Sequence, residues 1–257
     1  MKKEILRVFL EEQADRFNQV QFITDDPISI PHRFTAPEDI EIIGFIVATI
    51  SWGQRPTIIK NGLKLCEIMG NAPYDFIKNA SDQDLKDLHF VHRTFNADDL
   101  NFFLRAMRSF YKTNNGGLEA AFNLETSSMA GRIAAFRQEF LKTPHQKRSE
   151  KHLSNPLSGS ASKRINMFLR WMVRKDNKGV DFGIWNSIDP SELYIPLDVH
   201  TGNVARELGL IKRKANDWKA LEELMNAVKR FDAHDPCKYD FALFGIGVSG
   251  LLQELKS

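Results

Sequence analysis

Cysteine is scarce in this sequence. The 257 residues include only Cys66 and Cys237, which lie in helical patterns and form no CxxC pair. A disulfide framework or a zinc site needs more cysteines, or cysteines at closer spacing. We therefore expect no structural metal and no cofactor held by cysteine ligands.

Long hydrophobic runs are also absent, so the sequence predicts no membrane-spanning helix and no membrane partner. The first residues, MKKEILRVFLEEQ, contain acids too early for a secretory signal peptide. We expect a cytoplasmic protein. The contents of 42% hydrophobic and 26% charged residues are those of an ordinary globular protein long enough for a sizeable core.

Alternating patterns of β-branched and polar residues do not occur, which leaves few signals for strands. Helical spacing of apolar residues, in contrast, recurs along the chain. A capping box of Thr35 and Glu38, with Pro37 in the first turn, predicts the start of a buried helix, IEIIGFIVATI. Asn96 is expected to begin another helix. The sequence predicts an all-α fold of about ten helices.

Positive charge is concentrated in one part of the chain. Between Lys142 and Lys178 there are ten Lys or Arg residues against only Glu150 and Asp176, a local net charge of +8 in a protein whose total is +2. Such a concentration favours an anionic partner, and the phosphate backbone of nucleic acid is the natural one. The alternative is that these side chains only solvate the outer faces of helices.

The stretch from Asn155 to Leu210 carries the strongest candidate chemistry. A turn of small residues around Gly159 leads into a helix with Lys163 in its first turn, and Asp198 precedes a second helix. A single reversal of the chain could bring this amine and this carboxylate together.

The order of these features resembles the helix-hairpin-helix (HhH-GPD) DNA glycosylases: a small-residue turn, lysine, apolar helix, then PLDVHTGNVARELGL. Together with the ending FDAHDPCKYDFALFGIG, that box resembles an uncharacterised bacterial family related to those enzymes. The resemblance implies an all-α, two-lobed helical fold with a central cleft. It also implies that Lys163 attacks the sugar C1′ and that Asp198 assists departure of the base. Some glycosylases carry a four-cysteine iron-sulfur cluster, which this chain cannot form, and no cofactor is expected.

We expect one two-lobed domain over residues 1–257. The predicted lobes are a helical bundle at 36–141 and a lobe with the helix-hairpin-helix turn formed by 1–35 plus 142–257. The polar segment TPHQKRSEKHLSNP, too charged to bury, is expected to be a mobile or irregular connection.

Lys163 needs a special environment to act as a nucleophile. An exposed lysine with a pKa of about 10.4 is almost fully protonated at neutral pH. Burial, the neighbouring Arg164 and the positive end of the helix would favour the free amine, which could then form a Schiff base with an opened sugar. The alternative is a lysine that contacts phosphate or is simply solvated.

Asp198 has a structural alternative, because an aspartate just before a helix is a preferred N-cap worth about 1 kcal/mol. Capping and catalysis are compatible, since a rigidly held carboxylate can stabilise the oxocarbenium-like charge that develops as a glycosidic bond breaks. His200 could orient Asp198 or a phosphate, or it could be structural.

Further residues are predicted to contact nucleic acid, DNA more than RNA. Gln54 lies where the glycosylases often carry a glutamine that fills the gap left by a flipped base, although it could be an ordinary polar turn residue. The glycosylase turn usually has two glycines, whereas PLSGSASK has only Gly159, and Asn203 stands where an arginine often follows. The predicted contacts are Gln54, Arg55, Ser158, Gly159, Ser160, Ser162, Arg164 and His200.

Two classes of function follow from these observations. The first is a DNA glycosylase or glycosylase/AP lyase of base excision repair. The second is a non-catalytic nucleic-acid-binding protein that keeps the fold. The sequence does not indicate an oligomeric state.

Overall fold

A computed structural model describes residues 3–113, 117–123 and 128–251. The chain is mostly helical, which confirms the all-α expectation at the level of fold class. It divides into two compact units. We call Met1–Phe22 with Pro156–Ser257 the terminal unit, and Ile23–Asn155 the middle unit.

The terminal unit contains five helices that matter below. They are α1 (Lys3–Phe17), α10 (Lys163–Val173), α11 (Val199–Glu207), α12 (Trp218–Val228) and α13 (Tyr239–Ser249). Short 3-10 helices at Pro156–Ser158, Pro190–Glu192 and Pro236–Lys238 connect them. The short helix α2 (Gln21–Thr24) includes the boundary between the units.

The middle unit is a helical bundle with one small hairpin. Its helices are α3 (Pro37–Ile50), α4 (Arg55–Ile68), α5 (Pro73–Asn79), α6 (Asp82–Lys86), α7 (Ala97–Thr113), α8 (Gly117–Phe122) and α9 (Met129–Phe140). Its strands are β1 (Val91–His92) and β2 (Phe95–Asn96), and its 3-10 helices are Pro27–Ser29, Pro31–Arg33 and Lys147–His152.

Helix α3 is the buried centre of the middle unit, as its apolar sequence predicts. Every residue from Ile40 to Ile50 is buried. The predicted capping box is wrong: Ala36, not Thr35, is the N-cap, and no side chain caps the helix. Pro37 is the first residue of the helix, a position that suits proline because the first amide of a helix has no acceptor within the helix, so the helix begins one residue later than predicted.

The hairpin of β1 and β2 was not predicted. His92 pairs with Phe95 and Val91 with Asn96, which leaves Arg93 and Thr94 as a two-residue turn. A strand of two residues is too short to show alternation, and Arg93 is not a usual turn residue, so neither signal was available from the sequence.

The middle unit extends beyond the predicted limits of 36 and 141 at both ends. Ile28 and Ile30 are buried before α3. Past α9, the segment expected to be a mobile or irregular connection folds into the 3-10 helix Lys147–His152. The expectation that it is too charged to bury is wrong for Ser149 and His152, because both contact Asp99 in the first turn of α7.

Asp99 organises that contact. Asp99 accepts a hydrogen bond from the Ser149 hydroxyl at 2.5 Å and lies 3.3 Å from Nε2 of His152 and 3.0 Å from Nη1 of Arg148. Burial opposes ionisation, but the contacts of His152, Ser149 and the Asn96 amide hold the pKa of this carboxyl well below its ordinary value. Asn96 caps α7 as predicted, with its Oδ1 accepting from the Asp99 amide at 3.2 Å.

Helix α13 packs closely on two other helices of the terminal unit through glycines. A methyl group on Gly245 would lie 2.2 Å from the ring of Phe17 in α1. A methyl group on Gly247 would lie 3.0 Å from Cβ of His200 in α11. Gly245 and Gly247 thus allow α13 to pack closely on α1 and α11.

Candidate active site

Lys163 is the first residue of α10, and the turn before it fixes where that helix begins. Gly159 and Ser162 both adopt positive φ, 90° and 48°. The Gly159 carbonyl accepts the amide of Trp218 at 3.0 Å, and Ser160 forms a β-bridge with Asp217. The turn is therefore joined to the start of α12, and the chain reverses sharply into α10 with Lys163 in its first turn.

Asp198 is the N-cap of α11, as predicted. Its Oδ1 atom accepts a hydrogen bond from the Thr201 amide at 2.9 Å. Its backbone is extended at φ −114° and ψ −169°, the conformation of an N-cap. One carboxylate oxygen is thus used for the helix, and the other is left for a second partner.

That partner is Lys163. Its Nζ atom lies 3.1 Å from Oδ2 of Asp198, and the two side chains are 37% and 14% exposed. The structure thus brings together the two residues that the sequence predicts in one site. Burial opposes the charge of Asp198, but the Lys163 ammonium and the Thr201 amide lower the pKa of its carboxyl below the ordinary value. Asp198 is ionised at neutral pH.

A buried salt-bridge network lies further along α10. The Arg170 guanidinium donates to Asp181 at 3.1 Å and also bonds Asp240 of α13. All three residues are buried. We call this network, with the residues around Arg174 described next, the ion cluster.

Arg174 continues the ion cluster by binding three carboxylates. Its guanidinium lies 2.7 Å from Asp176, 3.2 Å from Asp181 and 2.8 Å from Asp235. The cluster therefore joins α10 to α13 and to the loops at 176–181 and 235. Removing one member would leave a buried charge without its partner.

Asp240 links the ion cluster electrostatically to the candidate active site. Burial raises the pKa of Asp240 to about 6, and the negative charges of Asp198 and Asp181 add to that rise, while Arg170 opposes it. Its neighbour Phe241 stacks under Arg170, whose Cζ lies 4.5 Å from the ring centroid.

The backbone of Asp198 is held by a polar clamp. Asn216 donates from Nδ2 to the Asp198 carbonyl at 2.9 Å, and its Oδ1 accepts from Nη2 of Arg206 at 2.5 Å. Gly202 lies beneath this clamp, since a methyl group there would be 2.5 Å from Oδ1 of Asn216. Position 202 therefore needs a glycine, because any side chain there would overlap Asn216.

His200 lies in the first turn of α11, one residue after the start of the helix. Its side chain is exposed, and its ring contacts Phe244 edge-on with centroids 6.5 Å apart. Its charge also contributes to lowering the pKa of Asp198. His200 thus lies two residues after Asp198 and packs on α13, and its contact with nucleic acid stays a prediction.

The predicted contacts in the turn before α10 differ in accessibility. Ser158 and Gly159 are exposed. Ser160 accepts the Ser162 amide at 3.1 Å, and Ser162 is only 2% exposed, with its hydroxyl donating to the Ser160 carbonyl at 3.4 Å. The hydroxyls of Ser160 and Ser162 therefore stabilise the turn, and the outer face of the turn is formed by Ser158 and Gly159.

Arg164 follows Lys163 and is half-buried. Burial lowers the pKa of its guanidinium to about 10, so it remains charged at neutral pH. Gln54 and Arg55 belong to the middle unit, where Gln54 is exposed at the N-cap position of α4 and Arg55 is the first residue of that helix.

Asp240 and Asn216 are the residues at the site that the sequence reasoning missed. A signal for Asp240 was present, because YDFALFGIG places one acid in an otherwise apolar helix, and a buried acid needs a cationic partner. Asn216 lies 18 positions after Asp198, and no local sequence pattern indicates their contact. Across residues 3–113, 117–123 and 128–251, no group of three or more His, Cys, Asp or Glu side chains is arranged to hold a metal ion.

The structure defines a mostly helical protein whose terminal unit places a lysine and an aspartate side by side at the starts of two helices. A family model described as "Protein of unknown function (DUF2400)" matches residues 26–249, and the chain belongs to this family. No curated protein and no solved structure matches the chain. Within the described ranges, no helix is long and apolar enough to cross a membrane.

Proposed function

We propose that the chain is a helix-hairpin-helix DNA glycosylase or glycosylase/AP lyase that acts on damaged bases, with Lys163 as nucleophile and Asp198 as its partner. The observation that carries the proposal is the 3.1 Å contact between Nζ of Lys163 and Oδ2 of Asp198, at the starts of α10 and α11. The two-lobed glycosylase fold is part of the same proposal.

The geometry supports a separate role for each of the two residues, Lys163 and Asp198. The ammonium of Lys163 must lose a proton before it attacks, and the ionised carboxylate 3.1 Å away is placed to accept it. The free amine then forms a bond to C1′ of the sugar while the N-glycosidic bond breaks and its electron pair leaves with the base, which takes up a proton. Asp198 passes the proton that it took from Lys163 to the departing base, and the carboxylate regenerated in this way, held by its cap, stabilises the positive charge that develops on the sugar.

Opening of the sugar ring converts the covalent adduct to a Schiff base between Lys163 and C1′. In a lyase, loss of a proton from C2′ and departure of the 3′ phosphate would follow. Hydrolysis of the Schiff base then returns the amine.

A second candidate is a nucleic-acid-binding protein without turnover. One observation favours it: Lys163 is paired with Asp198 at 3.1 Å and its side chain is 37% exposed, the arrangement of an ordinary salt bridge at the start of a helix. Both candidates use the same positively charged stretch of the chain.

Borohydride trapping separates the two candidates. The full chain is incubated with a panel of duplexes that carry damaged bases or an abasic site, and borohydride reduces any Schiff base to a stable adduct. The enzyme proposal predicts an adduct that Lys163→Gln abolishes and that Lys214→Gln, a change at an exposed lysine of the same unit, leaves intact. Salt-sensitive binding with neither adduct nor base release would support the binding protein instead.

A further inference from the structure

The middle unit carries a second surface with features of a nucleic-acid contact, and its interpretation rests on the proposed function. The loop between α3 and α4, residues 51–54, we call the Trp52 loop. The hairpin turn, Arg93 and Thr94, lies against it. His92 joins the two by donating from Nε2 to the Trp52 carbonyl at 3.2 Å.

His92 makes this junction rigid. Its ring contacts the Trp52 ring edge-on, with centroids 5.0 Å apart, and its Nδ1 lies 2.8 Å from Nδ2 of Asn61. Because Nε2 donates to a carbonyl, Nδ1 is the acceptor from Asn61, and the imidazole is neutral. Burial lowers the pKa of His92, and the charge of Arg93 lowers it further, although the bond to Trp52 opposes the shift. The neutral form therefore persists at neutral pH.

Arg93 lies directly over the Trp52 loop. A methyl group on Gly53 would be 2.8 Å from Nη1 of Arg93, so the guanidinium covers the one residue of the loop that has no side chain. Gly53 itself has a φ of 100°. The guanidinium therefore lies beside Gly53, the residue between Trp52 and Gln54 in the chain.

Arg93 also has an unusual backbone. Its φ is 55°, a left-handed conformation that costs a residue other than glycine roughly 1 kcal/mol or more. Glycine or asparagine would form this turn with less strain. The strain is maintained because Arg148 donates to the Thr94 carbonyl at 2.7 Å and fixes the turn from its other side.

The guanidinium of Arg93 differs from others in the middle unit. Arg108 bonds the carbonyls of Ile77 and Ala80, Arg137 pairs with Glu150, and Arg148 pairs with Asp99. The contacts of these three arginines stabilise the fold of the middle unit. Arg93 is exposed and, within the part of the chain that the structure describes, forms no ion pair with an acidic side chain.

The two stretches that form this surface contain no acid, although Asp98 and Asp99 follow the hairpin directly and Asp25 lines a pocket together with Arg55 and Lys60. Residues 51–66 carry Arg55, Lys60 and Lys64 without an Asp or Glu, and residues 88–97 carry Arg93 without one. The Trp52 loop and the hairpin thus bring two stretches of only positive charge together, and this arrangement attracts a polyanion.

We propose that Arg93 binds a backbone phosphate of the nucleic acid, and that the Trp52 loop and the hairpin turn together form the contact surface of the middle unit. The fork of a guanidinium suits the two free oxygens of a phosphodiester. Gln54, exposed beside it, would face the same nucleotides.

Equilibrium binding of the full chain to a duplex with one abasic site, measured over a series of salt concentrations, tests this. Arg93→Gly removes the guanidinium and suits a φ of 55°, so folding is preserved and the melting temperature should not fall. We expect affinity at low salt to fall about fivefold to tenfold, and the slope of log K against log salt to lose about one unit. Arg93→Lys should keep much of the slope.

Lys86→Gln is the matched control, an exposed cation of the same unit on α6, and it should bind like the wild type. If Arg93→Gly binds with unchanged affinity and slope while the wild type binds and forms a trapped adduct, the contact surface is refuted and the proposed function stands. If the wild type binds no duplex, both proposals are refuted.

Discussion

The Nζ atom of Lys163 lies 3.1 Å from Oδ2 of Asp198, while Oδ1 of the same carboxylate caps α11 through the Thr201 amide. One side chain therefore has two roles that are carried by different oxygens. This separation makes it possible to remove the charge and keep the cap.

Asp198→Asn should retain stability and lose activity. Asparagine caps helices about as well as aspartate, so the melting temperature should change little, whereas Asp198→Ala should cost about 1 kcal/mol. Both variants lose the carboxylate that, in the proposed mechanism, stabilises the developing charge, and we expect base release to fall about a hundredfold or more. Thermal unfolding and single-turnover base release measure the two effects. Equal loss of stability in both variants would contradict the role of the cap.

Gly247→Ala should disturb the site more than the fold. The added methyl would lie 3.0 Å from Cβ of His200 and 3.4 Å from its carbonyl carbon, so α11 must move by a few tenths of an ångström. The loss in packing is offset by the higher helix propensity of alanine, about 1 kcal/mol. We expect reduced trapping at nearly unchanged melting temperature.

Gly245→Ala is the comparison for that variant. Its methyl would overlap the Phe17 ring of α1 at 2.2 Å, which should destabilise the protein by roughly 1–3 kcal/mol. If Gly247→Ala traps as efficiently as the wild type, the packing of α13 on α11 does not position Asp198.

Asp240→Asn should be destabilising, and the loss should grow as pH falls from 7 to 4. The folded-state pKa of Asp240 is raised to about 6, so between about 4 and 6 the folded protein binds a proton that the unfolded chain has released. Wild-type stability from this group therefore increases on acidification, and the asparagine variant lacks the increase. Melting temperatures of both proteins across this range provide the test. A difference in melting temperature between the two proteins that stays constant or shrinks as the pH falls would contradict this prediction.

Asp99→Asn should show the opposite dependence on pH. The pKa of Asp99 is depressed in the folded state, so its contribution to stability is present above the unfolded value near 4 and is lost at lower pH. We expect a loss of about 3 kcal/mol or more at pH 7, because Arg148 would lose its buried partner, and a smaller loss below pH 4. Asp98→Asn, at an exposed neighbour, is the control for denaturant unfolding at each pH.

Much of the terminal unit could be predicted from the sequence, because its signals are local. Asp198 is an aspartate before a helical pattern, and Lys163 follows a turn of small residues. Both residues could therefore be predicted to lie at the starts of helices. Their contact also followed, since one chain reversal separates the two helices.

What could not be predicted depends on contacts between distant residues. The sequence of the 3-10 helix Lys147–His152 is typical of a solvated connection. Its ordered structure depends on contacts with the buried Asp99, about 50 positions earlier in the chain. The strained turn at Arg93 is fixed by Arg148 and by the glycine of the Trp52 loop. No local pattern encodes such partners.

Mass spectrometry of the trapped adduct tests the central claim most directly. The wild-type chain is reduced with borohydride on an abasic duplex, digested, and the modified lysine is identified by fragmentation. The proposed mechanism predicts that the sugar remnant is on Lys163, and that Asp198→Asn lowers its yield. A remnant on another lysine, or no adduct from a protein that is folded and binds the duplex, would contradict it.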